Sequence, residues 1–216
     1  MISLVRELDL SPDHVYSVKG ERVPGVTSVL AAERLIDARF FTEESRHRGT
    51  AVHAAVEQDE RQILDEAFLD PRILGYLEGW RAFVRDKTYK TATLPILGDL
   101  AFLAEVRMLS KVLGVAGTAD GIGTMKGITG LTLVDVKSGV PSPATSLQTA
   151  AYAALFHELT GQIIAARYAV EVRANGTYRL HRYQDMSDIH VFKSILNLHR
   201  WRQRHVSAYA AYLEAA

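Results

Sequence analysis

The hydrophobic period of this chain changes near Thr91. Upstream, apolar residues recur mostly at helical spacing. From there to about Lys137 they form three or four strand-like segments: Thr91–Leu97, Ala101–Ser110, a glycine-punctuated Val115–Thr124 and Gly130–Lys137. A helix then reads from about Ala144 to Thr160, bounded by Pro143 and Gly161. Two more strand segments, Ile163–Arg173 and Thr177–Tyr183, are joined by Asn175-Gly176, a strong hairpin signal. A last helix runs from about Ser187 to Leu213. Before the sheet, His14–Pro24 reads as a short hairpin turning at Lys19-Gly20-Glu21. Thr27 or Ser28 caps a helix to about Ile36, a longer helical region covers Thr42–Phe68, and Pro71 opens a third helix ending near Lys87. Helices, strands, helix, hairpin, helix is the order of an α/β fold with a central mixed sheet flanked by helices. A doubly wound parallel fold would alternate strictly.

The length of 216 residues suits one domain, 1–216, with the hairpin and helical region (about 1–90) packed on a core of about 91–216. Lys+Arg and Asp+Glu tie at 25 each, so a polyanionic partner has to be held by a local patch. The absence of cysteine excludes a disulfide framework, an iron–sulfur cluster and a thiol nucleophile. No apolar run approaches a membrane span, and the charged N-terminus is unlike a signal peptide. A soluble, intracellular protein is expected.

The strand Leu131-Thr132-Leu133-Val134-Asp135-Val136-Lys137 carries the chemistry. Side chains alternate along a strand, so Asp135 and Lys137 share a face and emerge together beside Ser138-Gly139. A plain salt bridge is the bland reading. Upstream, Ala116-Gly117-Thr118-Ala119-Asp120-Gly121 sets an acid between glycines, and a hairpin could bring Asp120 beside Asp135. Two adjacent carboxylates repel unless a cation lies between them, and oxygen ligands favour Mg²⁺ or Mn²⁺. Asp120 alone would read as a turn acid. Glu105 shares a face with Arg107 and is its natural salt-bridge partner. Gln148 and Tyr152, like His53 and Glu57, are four apart on a helix, a spacing equally common among ordinary helix residues. A second His in the zinc-protease spacing is missing.

Taken in order, Gly49-x-x-x-His53, Glu105 in a strand, Ala116-Gly117-Thr118-x-Asp120, Asp135-x-Lys137-Ser138-Gly139 and Gln148-x-x-x-Tyr152 resemble the RecB-like branch of the PD-(D/E)XK nucleases. Tyr16 with Val23-Pro24-Gly25-Val26-Thr27-Ser28-Val29-Leu30 is similar to phage-type exonuclease members. The match runs over residues 49–152. The departures are mild: Asp-Val-Lys-Ser stands where Asp-Tyr-Lys-Thr is frequent, and cluster-bearing members are excluded as models. The resemblance implies a restriction-endonuclease-like core. Asp120, Asp135 and the Val136 carbonyl would hold one divalent ion, with His53 helping hold a second or completing the first and Glu105 ligating directly or through water. Asp120, Asp135, Lys137, Gln148 and Tyr152 would form the catalytic set, Lys137 polarising the attacking water. Thr118, Ser138, Gln148 and Tyr152 would touch DNA.

Phosphodiester hydrolysis suits these groups, because the anion repels incoming hydroxide and divalent ions offset both that charge and the leaving alkoxide. The implied activity is a Mg²⁺- or Mn²⁺-dependent (one or two ions) exonuclease acting at DNA ends in phage or bacterial recombination and repair. It would work in the cytoplasm of a bacterial or phage-infected cell, beside a single-strand annealing or single-strand binding protein, and an oligomer is compatible with it. An endonuclease or flap nuclease on the same site is the near alternative, and a non-catalytic DNA-binding subunit the distant one. A metal-dependent phosphatase would not explain the ordered series. Local basic stretches that could hold DNA are Arg46-His47-Arg48 and Arg200-Trp201-Arg202-Gln203-Arg204-His205. Neutralising Arg46 and Arg48 together is expected to flatten the salt dependence of DNA affinity, read from binding isotherms at several salt concentrations; an unaltered slope would contradict the assignment.

Overall fold

Three strands at the centre of the molecule, β8 (Ala104–Ser110), β9 (Val115–Thr124) and β10 (Leu131–Lys137), form an antiparallel meander. Helix α4 (Thr145–Thr160) then crosses over and returns the chain as β11 (Ile164–Val172), parallel to β10, and β12 (Tyr178–Tyr183) pairs antiparallel with β11. The computed structural model describes residues 2–11, 13–36, 42–96 and 99–206. The sheet order is β1-β8-β9-β10-β11-β12, where β1 is Ile2–Ser3 running parallel to β8. Short β5 (Lys90–Thr91) joins β9 at Gly123 and Thr124. This central mixed sheet flanked by helices is the restriction-endonuclease-like arrangement expected from the order of elements.

The helices bury apolar stripes on the two faces of the sheet. One cluster joins Leu103, Val106, Ile122 and Leu133 to α1 (Val26–Ala32), α4 and α5 (Asp188–Arg204). The other joins Val134, Val136, Val170 and Val172 to α2 (Glu43–Glu60) and α3 (Pro71–Lys87). Local signals act as anticipated. The Thr42 side chain accepts from the Ser45 amide, Pro71 sits in the first turn behind the Asp70 cap, and Gly161 ends α4 in the left-handed conformation. Both Lys19 and Gly20 have positive φ, which closes the expected hairpin between β3 (Tyr16–Val18) and β4 (Glu21–Val23). An additional strand, β2 (Leu8–Leu10), lies against β3.

Several boundaries differ from expectation. The helical region expected over Thr42–Phe68 breaks after Glu60. There Arg61 turns back to Glu57 and reaches the Ala104 carbonyl at 3.2 Å, Gln62 takes a positive φ, and only a short 3₁₀ turn, Glu66–Phe68, follows. Helix α1 starts at Val26 behind Gly25 with no side-chain cap, not behind Thr27 or Ser28, and stops at Ala32 rather than Ile36 because the chain reverses through Arg34 at positive φ. The expected first strand is divided into β5 and β6 (Thr93–Ile96), with residue 97 outside the described residues. The second is divided at Leu103 into β7 (Asp99–Phe102), which pairs with β6 in its own hairpin, and β8. Helix α5 ends at Arg204, and the expected extension from residue 207 to Leu213 lies outside the described residues. Among the described residues, no helix is long and apolar enough to cross a membrane.

Helix α3 lies so close to the β11–β12 turn that a methyl group on Gly75 would collide with the Ala174 carbonyl. In an open helix Gly→Ala would stabilise by about 1 kcal/mol. Here the sign reverses: Gly75→Ala should lose about 1–3 kcal/mol, measured as a lower denaturant midpoint at constant m-value.

Candidate functional site

Three acids gather where the ladders of β8, β9 and β10 meet. In the β8–β9 ladder Ala104 pairs with Gly121 and Val106 with Ala119, which sets Glu105 opposite Asp120. In the β9–β10 ladder Val134 with Gly121 is the last pair, and Asp135 and Asp120 are the next residues beyond it. Glu105 and Asp120 lie in the gap between the two β8–β9 pairs and Asp135 just past the last β9–β10 pair, so the three acids gather where the ladders are interrupted, on strands about 4.8 Å apart. Next to them on β10 is Lys137, whose ammonium lies 2.8 Å from Asp135 Oδ2.

The surroundings of each acid differ. Asp120 Oδ2 accepts the Val136 amide at 2.6 Å, while its Oδ1 lies 3.4 Å from His53 Nδ1. Glu105 Oε1 lies 3.5 Å from the same nitrogen. Its expected partner Arg107 instead has a buried Nε with no hydrogen-bond partner. Glu105 adopts φ 51, strained backbone for a residue with a side chain, which accompanies its contact with His53. Asp135 is 1% exposed and, apart from the ion pair with Lys137, its oxygens have no hydrogen-bond donor among the described residues.

Protonation follows from these contacts. Burial pushes the Asp135 carboxyl up to about 6, Lys137 pulling against it and Asp120 adding to it. Burial acts the same way on Asp120, but His53, Lys137 and the Val136 amide outweigh it and hold that carboxyl low. Burial raises Glu105, with His53 opposing. On His53 burial favours the neutral ring, yet Asp120 and Glu105 drive its pKa well above the ordinary value. An imidazolium therefore stands where two carboxylates demand positive charge.

His53, Glu105 and Asp120 could hold a metal ion, since one ligand atom from each lies within 4.8 Å of the others. Asp135, with its orphaned oxygens, adjoins this group across the strand pair. The sequence-based expectation centred instead on Asp120, Asp135 and the Val136 carbonyl, and what the structure describes of Val136 is its amide on Asp120.

Helix α4 supports Lys137 from above. Lys137 Nζ donates to Gln148 Oε1 at 3.4 Å, and Gln148 Nε2 donates to the Tyr152 hydroxyl at 3.1 Å. The glycine of the Ala-Gly-Thr-x-Asp series makes this possible, because a Cβ on Gly117 would strike the Tyr152 ring. Thr118 is bound to the Tyr16 hydroxyl at 2.8 Å.

Two adjoining cavities open on this constellation. One of about 680 Å³ is walled by Lys137, Ser138, Gln148, Arg46, Arg48 and His53, and one of about 410 Å³ by Glu105, Asp120, Thr118, Tyr152, Glu57 and His53. Every expected side chain from His53 to Tyr152 thus lines one cleft or lies beneath it. His14 and Thr50 also line it, and no sequence pattern marked them; Thr27, from the segment similar to phage-type exonucleases, lines it too. The C-terminal basic stretch is placed elsewhere. Arg200 binds the Leu113 and Gly114 carbonyls and Arg202 pairs with Glu33, so two of its arginines fasten α5 to neighbouring elements.

No family profile matches the sequence, and no curated protein does. Among solved structures, a putative exonuclease from Eubacterium rectale is 15% identical, covering 76% of this chain and 71% of its own at a TM-score of 0.47. An alkaline exonuclease from Laribacter hongkongensis is 13% identical, covering 85% of this chain and 92% of its own at 0.38. The same exonuclease in complex with dAMP is 11% identical, covering 89% and 93% at 0.38.

A carboxyl with a folded-state pKa above its unfolded value opposes folding once ionised. That penalty is absent below the unfolded carboxylate range and complete above about 6. Asp135→Asn should therefore raise the melting temperature at neutral pH in EDTA, with the gain fading as pH falls toward the unfolded carboxylate range. A gain independent of pH, or a loss at neutral pH, would contradict this account.

Proposed function

We propose that this chain is a divalent-metal-dependent deoxyribonuclease of the RecB-like, phage-exonuclease branch of the PD-(D/E)XK superfamily, hydrolysing phosphodiester bonds at DNA ends. The observation that carries the reading is the cluster of Glu105, Asp120 and Asp135 with Lys137 beside it, at two adjoining cavities. The bland alternatives account for less. A simple Asp135–Lys137 bridge does not require two further acids alongside, nor a buried Oδ1 of Asp135 with no donor among the described residues.

The donor set is oxygen-rich with one imidazole, which suits Mg²⁺ or Mn²⁺. His53, Glu105 and Asp120 would hold the ion, with Asp135 adjoining. When bound, it supplies acidification of water and neutralisation of the charge that builds on the phosphate. The protein's own groups do the rest. Lys137, steadied by Asp135 and Gln148, donates a hydrogen bond to the attacking water and stabilises its deprotonated form. Gln148 and Tyr152 fix the ammonium against rotation. Arg46, Arg48, Thr118 and Ser138 hold the phosphates of the strand, giving a neutral chain a local positive surface. His53 gives up its proton on the ring nitrogen facing Asp120 when it acts as a ligand.

The chain is read as one domain, because Leu4 and α1 of the N-terminal region share a buried cluster with β8, β9 and α4. A role in bacterial or phage recombination and repair in the cytoplasm, beside a single-strand annealing or single-strand binding protein, accompanies this reading.

End-labelled linear and closed circular DNA incubated with Mg²⁺, Mn²⁺ or EDTA tests it. Linear DNA should be degraded from a terminus, circular DNA should survive, and EDTA should stop the reaction. Lys137→Ala should lose at least ~10²–10³ in rate while still unfolding in one cooperative transition. Cleavage of the circle would reassign the site to an endonuclease. Binding of DNA without any divalent-ion binding or cleavage would make the chain a non-catalytic subunit.

A further inference from the structure

The main sheet has two ends. At one, β1 is only 2 residues long; at the other, β12 runs for 6 residues and pairs with β11 alone among the described residues. The phase of that ladder tells which backbone groups are left over. The Arg173 amide donates to the Thr177 carbonyl at 3.0 Å, so the hydrogen-bonded pairs continue as Glu171 with Arg179, Ala169 with His181 and Arg167 with Tyr183. The intervening residues Tyr178, Leu180 and Arg182 turn their N–H and C=O groups outward. None of these groups has a partner among the described residues.

Side chains alternate along the strand, so the two faces beside this edge differ. On one, Tyr178 and Leu180 are half-buried against the apolar cluster that includes α3. On the other are Arg179 and His181. Arg179 is exposed and forms no ion pair among the described residues. His181 Nε2 and Arg173 Nε share Glu171, at 2.7 and 2.8 Å, so that carboxylate is already matched. Counting Arg182, the strand carries basic residues and no acid. A second copy is therefore a poor occupant: antiparallel pairing of two β12 strands about Leu180 sets Arg179 opposite His181 twice, like against like. A nucleic-acid phosphate fits no better, because outward carbonyls alternate with the amides and repel it. An added strand satisfies both kinds of group at once.

We propose that β12 is a docking edge for an extended segment of a partner protein, added antiparallel, in which acidic residues alternate with apolar ones. The acids stand opposite Arg179 and His181, in the pairs without mutual hydrogen bonds, where opposing side chains come nearest. The apolar residues face Tyr178 and Leu180 and supply the amides and carbonyls that bond to the edge. No residue of β12 lines the two cavities at the acids, so the segment docks without entering the catalytic cleft.

Fluorescence anisotropy with a short labelled peptide of alternating Asp and Val tests this, read against a Lys–Val peptide and two N-methylated Asp–Val peptides. The Asp–Val peptide should bind and the Lys–Val peptide should not. Methylating the Val amides should abolish binding, whereas methylating the Asp amides, which point away from β12, should leave it intact. Arg179→Glu should weaken the Asp–Val peptide about fivefold with DNA cleavage unchanged. The edge is refuted if the peptide does not bind, if methylated Val amides are tolerated, or if Arg179→Glu has no effect. A single-stranded oligonucleotide that displaces the peptide would reassign the edge to phosphate, and a dimer that the peptide dissociates would reassign it to a second copy; either overturns the proposal. Peptide binding and DNA cleavage are read separately, so failure of one leaves the reading of the other untouched.

Discussion

Three carboxylates brought together by strand pairing must be compensated, and most of what surrounds the cleft does so. Glu105 and Asp120 are flanked by pairs of the β8–β9 ladder and Asp135 follows the last β9–β10 pair, so the backbone keeps all three acids close. Water is largely excluded, so the repulsion is not screened away. The molecule answers with three groups from two elements. Imidazole comes from α2, ammonium from the end of β10, and an amide from the β10 backbone. Helix α2 is held in place for this. Val52 and Val56 bury in the cluster beneath the sheet while His53 faces the acids, and Arg61 ties the helix end to the backbone of β8. The unusual backbone of Glu105 belongs to the same arrangement, a local cost borne where the surrounding ladder over-determines the conformation.

The support above the acids is a chain of size constraints as much as of hydrogen bonds. Tyr152 reaches over β9 only because Gly117 leaves room, Gln148 reaches Lys137 only because Tyr152 anchors its amide, and Lys137 then points at Asp135 rather than outward. Each link fixes the rotamer of the next, so an ammonium on a flexible stem is confined without being fully buried. That distinguishes Lys137 from an ordinary surface lysine, whose rotamer entropy would blunt any directed hydrogen bond.

What could be read from the sequence was whatever is decided locally or by alternation. The cap at Thr42, Pro71 at the head of α3, Gly161 after α4 and the Asn175-Gly176 turn each act through neighbouring backbone. The shared face of Asp135 and Lys137 follows from strand geometry, and the opposition of Asp120 and Asp135 from the hairpin between them. What could not be read was decided at a distance. The break after Glu60 depends on Arg61 finding the Ala104 carbonyl, forty-three positions away in the chain. The division of the long strand at Leu103 depends on β6 and β7 pairing with each other instead of the main sheet. Glu105 finds His53 and not Arg107 because α2 is delivered to that face by packing no periodicity reveals. The arginines at 200 and 202 look like a polyanion site in sequence and serve as helix fasteners in space.

On the proposed reading, this electrostatic arrangement also orders binding. A phosphodiester is negative, and the row of acids facing it is negative too, so the substrate meets repulsion unless positive charge comes with it. The imidazolium of His53 supplies some in the isolated protein, but it is lost when His53 becomes a neutral ligand. A divalent ion replaces that single charge with two and leaves the cleft more attractive to phosphate than before. The converse holds by linkage: a strand held by Arg46 and Arg48 adds negative charge beside the acids and tightens the site for the ion by the same factor. Cation and strand are then each other's best ligands, and the acids that destabilise the free fold are what couple them.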